Sequence, residues 1–388
     1  MNIKSHFILL LLIFSFFNNQ YSFADNIIVP APPTIAATSY LLMDFNSGKI
    51  LVENNIHQKL PPASLTKIMT IYVVANELDK GTISFSDDVS VSKRAYNTHG
   101  SRMFIEINSK VKLEDLLLGV IVQSGNDASV ALAEHISGSE EVFVNLMNQH
   151  ALNLGMKNTQ FANSTGMPVK DAEHLTTAYD LAILSRALIR NYPEIYEMHK
   201  IKEFTYGTKS PIKQYNRNKL LWRDRSIDGI KTGHTEEAGY CLVASAIRDD
   251  MRLISVVMGA EGEDSRAKAS QVNLNYGFRF YETHNLYKSG DVITDVKVWK
   301  ADTDTLELTV KDDFYITVPR GQYKKLELLV EVDNKIIAPI KEAEYKGILK
   351  ILLSNETIAS VPLLAKKSIS KGSIFNRLKD EIHLMLFD

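Results

Sequence analysis

One cysteine, Cys241, stands in a chain of 388 residues, so no intrachain disulfide can form and the small scaffolds held together by bridges are excluded. Apolar neighbours mark that thiol as buried and structural. No H-E-x-x-H run occurs, and the ten histidines show no compelling ligand spacing, which sets metallopeptidase chemistry aside. No metal or cofactor is implied. Excess charge is also missing: 44 Lys and Arg stand against 46 Asp and Glu, a balance that gives no reason to expect nucleic-acid binding. The apolar run Phe7 to Phe17 is too short for a span of about 20 residues. Lys4 ahead of it, with Ser22 and Ala24 behind, reads as a signal peptide over residues 1–24, cleaved after Ala24, so the mature protein is exported. An uncleaved N-terminal anchor is the alternative.

What the chain does have is three short polar motifs in order: Ser64-Leu-Thr-Lys67, Ser124-Gly-Asn126 and Lys231-Thr-Gly233. A serine hydroxyl is a weak nucleophile and needs a base within reach, which a residue three positions later on a helix supplies. A lysine acts as base only when neutral, so burial or a second cation must lower its pKa; Lys231 is the candidate cation. Pro61 and Pro62 end an extended segment, and Ile68, Met69, Tyr72, Val73 and Asn76 to Leu78 follow with mostly helical spacing. Ser64 is thus predicted in a first helical turn, where unpaired N–H groups and the positive dipole end suit an oxyanion. The reading is a serine acyltransferase with Ser64 as nucleophile and Lys67 as general base.

Position and order carry this reading, because S-x-x-K alone is weak. It starts six times, at Ser64, Ser90, Ser109, Ser210, Ser265 and Ser368. Only Ser64 both opens a long apolar helix and precedes the other motifs at sensible distances. K-[ST]-G recurs at Lys288-Ser-Gly290, but only Lys231 runs into an apolar strand-like segment, Gly239 to Ile247. Singly, each motif reads equally well as a helix start, a turn or a solvated strand end.

The chain changes character near residue 287. Before it, a hairpin fits Tyr40 to Asp44 and Ile50 to Glu53 around Asn46-Ser-Gly48. Helices fit Leu113 to Ile121, Asp127 to Ile136, Glu141 to Leu154 and Ala178 to Ile189, and Gly239 to Ile247 pairs with Arg252 to Gly259. This is an α/β catalytic domain, placed at residues 33–287. Short alternating segments follow, Val292 to Trp299, Leu306 to Val310, Tyr315 to Val318, Leu326 to Val332, Gly347 to Leu353 and Ile358 to Leu363, which predict a small all-β domain over 288–365. In the last segment, 366–388, Ile374, Phe375, Leu378, Ile382, Met385 and Leu386 recur at helical spacing beside Lys366, Lys367, Lys371, Arg377 and Lys379. That helix either lies in a membrane interface or packs on the β domain.

The runs Pro62 to Thr70, Gln123 to Ala128, Asp228 to Tyr240 and Gly277-Phe-Arg-Phe280 closely resemble the low-molecular-mass penicillin-binding proteins that act as D-alanyl-D-alanine carboxypeptidases, the penicillin-binding protein 5/6 type. The resemblance covers nearly the whole chain. It implies a serine β-lactamase/transpeptidase-like α+β fold, an antiparallel sheet flanked by helices, with a C-terminal amphipathic anchor. It implies removal of the terminal D-alanine from peptidoglycan stem pentapeptides through an acyl-enzyme on Ser64, with β-lactams as covalent inhibitors, at the periplasmic face of the inner membrane. It also implies roles: Ser124 as proton relay, Asn126 on the substrate amide, Lys231 and Thr232 of the Lys-Thr-Gly233 run toward the terminal carboxylate, and the His234 backbone N–H with that of Ser64 as oxyanion hole. Counted back from Gly277, Arg266 falls where the family has a carboxylate-binding arginine; an exposed surface arginine is the other reading. Asn163 to Gly166 resemble a family loop, or form a plain turn.

Two rival functions are weighed. A class A β-lactamase deacylates with a glutamate in an E-x-x-L-N run, and the nearest match, Gln149-His-Ala-Leu152-Asn153, has glutamine there. A catalytically silent wall-binding or β-lactam-sensing module has no need of a base, yet both lysines and both serines are present.

Overall fold

The computed structural model describes residues 29–207 and 210–387. The expected signal peptide, 1–24, lies outside the described residues.

The predicted hairpin forms as β1 (Ser39–Asp44) and β2 (Ile50–Asn54), turning through Gly48 at φ +76°. After it, a 3-10 turn at Ala63–Thr66 leads into α1 (Lys67–Asp79), whose residues Lys67 to Ala75 are all buried. Helices α2 (Leu113–Leu118), α3 (Asn126–Ser137), α4 (Glu140–Asn153) and α5 (Ala178–Asn191) follow. The chain then returns as three strands, β3 (Ile227–Thr235), β4 (Gly239–Arg248) and β5 (Met251–Ala260), before α6 (Glu263–Phe280).

These strands make one antiparallel five-stranded sheet in the order β2-β1-β5-β4-β3, so β3 is an edge. The sheet is buried on both faces. Along β4, Cys241 and Val243 point into the core under α1, α3 and α5, while Leu242, Ala244 and Ala246 point into a second core under α6, the period-two alternation of a strand. Burial of Cys241 pushes its thiol up to about 11, so it is inert at neutral pH.

Two local departures from the expected helices matter. Ser64 lies in the 3-10 turn and not in the α-helix, which starts at Lys67; residues i and i+3 eclipse in a 3-10 turn, which favours the Ser64 to Lys67 approach. The helix expected over Leu113 to Ile121 is α-helical only to Leu118. It widens into a π-turn at Gly119–Gln123 that ends on Ser124 in the left-handed region, φ +65°.

Beyond α6 the chain enters β6 (Tyr281–Tyr287) with no loop. Strands β7 (Val292–Trp299), β8 (Thr305–Thr309), β9 (Phe314–Pro319), β10 (Glu327–Val332), β11 (Ile336–Ile337), β12 (Tyr345–Leu353) and β13 (Glu356–Ala365) complete the all-β region. Six of them form one sheet, β10-β12-β13-β8-β7-β11, and β6 pairs with β9. The segment 281–287, placed by sequence at the end of the catalytic domain, is thus hydrogen-bonded to the β region. The two parts also meet in a polar joint: Thr283 Oγ1 donates to Asp44 Oδ2 at 2.7 Å, and Lys49 Nζ donates to the Thr317 carbonyl at 3.1 Å.

The chain closes with α7 (Ile374–Phe387). Its acidic side is held by the β region, where Lys300 pairs with Glu381 and Trp299 stacks on His383. The other side leaves Ile374, Phe375, Leu378, Ile382, Met385 and Leu386 exposed. Among the described residues no helix is long and apolar enough to cross a membrane.

Candidate active site

The three motifs converge on one cleft of about 660 Å³ between the α1 turn, the π-turn and β3, lined among others by Ser64, Ser124, Asn126, Thr232, Gly233, His234 and Arg266. Lys67 and Lys231 lie beneath it, both buried. Close packing explains the glycine of the third motif: a Cβ on Gly233 would stand 3.1 Å from the Pro62 carbonyl and 3.2 Å from Leu65 N. Only a strand without a side chain there lies this close to the Ser64 turn.

Lys67 Nζ is 3.1 Å from Ser64 Oγ and donates to Asn126 Oδ1 and to the Thr165 carbonyl, each at 2.6 Å. Full burial brings this lysine down to about 7; Arg217 adds repulsion between cations, while Asp127 and Glu140 oppose the shift. Lys231 is lowered well below the ordinary lysine value, by burial first and then by Lys67, Arg217 and Arg266. The cation that lowers Lys67 is therefore Arg217, which sequence reasoning missed, and not the expected Lys231, whose own value is lowered by Lys67. Arg217 enters the cleft between two buried asparagines, Asn216 and Asn218, which are tied to the Ile201 and Gly229 carbonyls. No local motif marks it.

Ser124 Oγ is buried, opens toward the cleft and makes no hydrogen bond to either lysine. Asn126 is committed at both ends, since Nδ2 donates to the His99 carbonyl at 2.6 Å. Next to it, Asp127 is buried and collects the backbone N–H groups of Met103, Phe104, Ile105 and Ala128, pinning the segment that forms the cleft's outer wall through Gly100 and Ser101.

Arg266 is not a surface residue. It is buried, donates to the Gly233 carbonyl at 2.9 Å and to the Cys241 carbonyl at 3.4 Å, and lies over Tyr240. Its guanidinium faces the cleft at the β3 end. His234 is exposed and stacks on Tyr240 with ring centroids 3.9 Å apart, so its backbone and its ring face different tasks.

The segment Asn163 to Gly166 is more than a surface turn. Asn163 Oδ1 accepts from Thr165 N, Thr165 Oγ1 and Gly166 N, and Gly166, at φ +87°, lies against the Ala63–Ser64 peptide. The Gln149 to Asn153 run, in contrast, sits in the last turns of α4 and contributes nothing to the cleft.

A cleft-lining serine hydrogen-bonded to a buried lysine, a second buried lysine and an edge strand beside them define an acyl-transfer enzyme of the penicillin-binding type. The chain belongs to the D-alanyl-D-alanine carboxypeptidase family, whose model matches residues 26–262; that of the penicillin-binding protein 5 C-terminal domain matches residues 281–371, starting with β6. D-alanyl-D-alanine carboxypeptidase DacC of Escherichia coli (strain K12) is 41% identical over 356 residues, 90% of this chain and 88% of that protein. The crystal structure of penicillin-binding protein 5 from Haemophilus influenzae superposes with a TM-score of 0.85 at 40% identity, covering 88% of this chain and 100% of that one. Penicillin-binding protein D2 from Listeria monocytogenes in its ampicillin-bound form superposes with a TM-score of 0.58 at 30% identity over 63% of this chain and 100% of that one.

Proposed function

We infer that the protein is a serine-type D-alanyl-D-alanine carboxypeptidase that removes the terminal D-alanine from peptidoglycan stem pentapeptides and is acylated by β-lactams at Ser64. The observation that carries the mechanism is the hydrogen count at Lys67. A neutral amine has two hydrogens and one lone pair. Asn126 Oδ1 and the Thr165 carbonyl, both at 2.6 Å, take the hydrogens, so the lone pair is left for Ser64 Oγ at 3.1 Å. Burial keeps the amine near neutrality at working pH, the condition for a general base.

Lys67 takes the hydroxyl proton as Ser64 Oγ attacks the carbonyl of the penultimate D-alanine. The oxyanion forms between the N–H groups of Ser64 and His234. Collapse breaks the peptide bond, and the leaving amine of the terminal D-alanine receives a proton through Ser124, whose hydroxyl has no other hydrogen-bond partner among the described residues. Water then hydrolyses the acyl-enzyme. Thr232 and Arg266 at the β3 end, with Lys231 below them, receive the terminal carboxylate; a buried guanidinium is well suited to it.

The setting follows from the two chain ends. Residues 1–24 direct export and are removed, and the mature enzyme sits on the periplasmic face of the inner membrane. The exposed apolar row of α7, with Lys366, Lys367, Lys371, Arg377 and Lys379 close by in sequence, supports an interfacial anchor held by apolar burial and anionic lipid.

The test is D-alanine release from a stem pentapeptide by the mature protein, with Ser64→Ala beside it and a β-lactam as competitor. Release by the wild type alone, abolished by the β-lactam, is the expected result. Labelling of Ser64 without release overturns the carboxypeptidase reading in favour of a β-lactamase, an endopeptidase or a sensor.

A further inference from the structure

Glu140 is a buried carboxylate that the acyl-transfer scheme does not use. It is the first residue of α4 and only 6% exposed. Helix capping does not require it, because Ser139 Oγ already accepts from Val142 N at that end. A carboxylate is costly to bury without several strong partners. Glu140 has them: Arg94 Nη2 donates to Oε2 at 2.7 Å, and Ser164 gives both its N–H, at 2.9 Å, and its hydroxyl, at 2.7 Å, to Oε1.

The other side of the same short segment faces the catalytic lysine. The Ser164 carbonyl accepts from Thr70 Oγ1 at 2.7 Å, and the Thr165 carbonyl accepts from Lys67 Nζ at 2.6 Å. Ser164 and Thr165 are thus clamped between α1 and the Arg94–Glu140 pair. If the clamp loosens, one of the two acceptors that fix the amine hydrogens moves, and the lone pair is no longer directed at Ser64.

We propose that Glu140, braced by Arg94, is a positioning residue for acylation: through Ser164 it holds the Thr165 carbonyl that orients the amine of Lys67 toward Ser64. The proposal rests on the reading of Lys67 as the base. Glu140 acts on the lysine in a second way, by its charge. The titratable and charged groups that face Lys67 are Arg217, Lys231, itself lowered by burial, and His174, lowered to about 4 and therefore neutral across the assay range, with Asp127 and Glu140 on the anionic side. Loss of one anion favours the neutral amine, so the acid limb of the acylation profile must move to lower pH.

The experiment measures acylation of Ser64 by a fluorescent penicillin from pH 5 to 9 for the wild type, Glu140→Ala and Glu140→Gln, with rates normalised to the fraction of protein labelled at saturation. Glutamine keeps an oxygen for Ser164 but no charge; alanine keeps neither. The expected result is a loss of at least about tenfold in the plateau rate for alanine, as for a displaced catalytic group, recovery of most of that loss by glutamine, and an acid limb lowered by roughly half a unit in both. A residue that merely supports folding lowers the labelled fraction and leaves the normalised rate and the limb unchanged; that outcome overturns the proposal. A wild-type profile with no acid limb near neutrality removes the base assignment and the proposal with it, whereas a wild-type limb that both variants share overturns the proposal alone.

Discussion

Lys67 Nζ lies closer to Asn126 Oδ1, at 2.6 Å, than to Ser64 Oγ, at 3.1 Å. The asparagine of the second motif therefore steers the lysine of the first. Asn126→Ala releases one amine hydrogen and the steering with it, and the acylation rate by a chromogenic β-lactam should fall by roughly a hundredfold. Asn126→Asp keeps an acceptor but adds an anion beside the amine, raises the lysine pKa and should move the acid limb of acylation to higher pH; stopped-flow rates across pH check both.

The wild-type limb itself has a stated position. Lys67 is brought to about 7 chiefly by burial, with Arg217 assisting, and a base is active only when deprotonated. Acylation should rise with pH through about 7. In Arg217→Gln the repulsion is gone, the ammonium is favoured, and the limb should shift upward; an unmoved limb refutes the electrostatic part assigned to Arg217.

Gly166 admits no side chain. At φ +87° an L residue is strained, and a Cβ would stand 1.8 Å from the Ala63 carbonyl oxygen and 2.9 Å from Ser64 N. Gly166→Ala should cost at least about 2 kcal/mol in stability. Because the clash falls on the peptide of the nucleophile, the Ser64 labelling rate should drop as well; thermal unfolding and labelling kinetics measure the two effects separately.

His199 is fully buried and lowered to about 4, by desolvation first and then by Lys231, although its bond to the Ile230 carbonyl acts the other way. The unfolded chain takes up the proton near pH 6.5, the folded one only near 4. This group's contribution is therefore complete above 6.5 and is lost as pH falls to 4, to the extent of about 3 kcal/mol. His199→Asn, which lacks the titration, should show a flatter fall in Tm between those pH values than the wild type.

Membrane attachment has its own check. A mature chain ending at Lys366 lacks α7 and should leave the membrane fraction; if it sediments with membranes as tightly as the full mature chain, the anchor reading is wrong.

The motifs were legible because each is local. Ser64 and Lys67 share a turn, and Lys231-Thr-Gly233 sits on a strand whose apolar partner follows in sequence. The α and β segments were legible for the same reason, from period and length. Arg217 and Glu140 act on the site across the fold, and nothing in their own neighbourhoods shows where the chain brings them; Asp127 lies inside the second motif's run and the Asn163 segment resembled a family loop, but their contacts were not readable locally. The π-turn before Ser124 was hidden too, since Gly119 to Gln123 reads as ordinary helix and is widened where Gly119 meets Met103, whose sulfur would lie 2.2 Å from a Cβ. Arg266 left two readings open until its burial was seen. The segment 281–287 shows no break after α6, so its pairing with β9 had no local sign.

The edge position of β3 has a consequence for life in a crowded compartment. An open strand edge invites other chains to add to the sheet. Along β3, side-chain donors already occupy the carbonyls of Ile230 (His199) and Thr232 (Lys231), which alternate onto the same side of the strand as the His234 N–H. A stray strand thus meets two acceptors already in use on that side, one of them held by Lys231 of the active site.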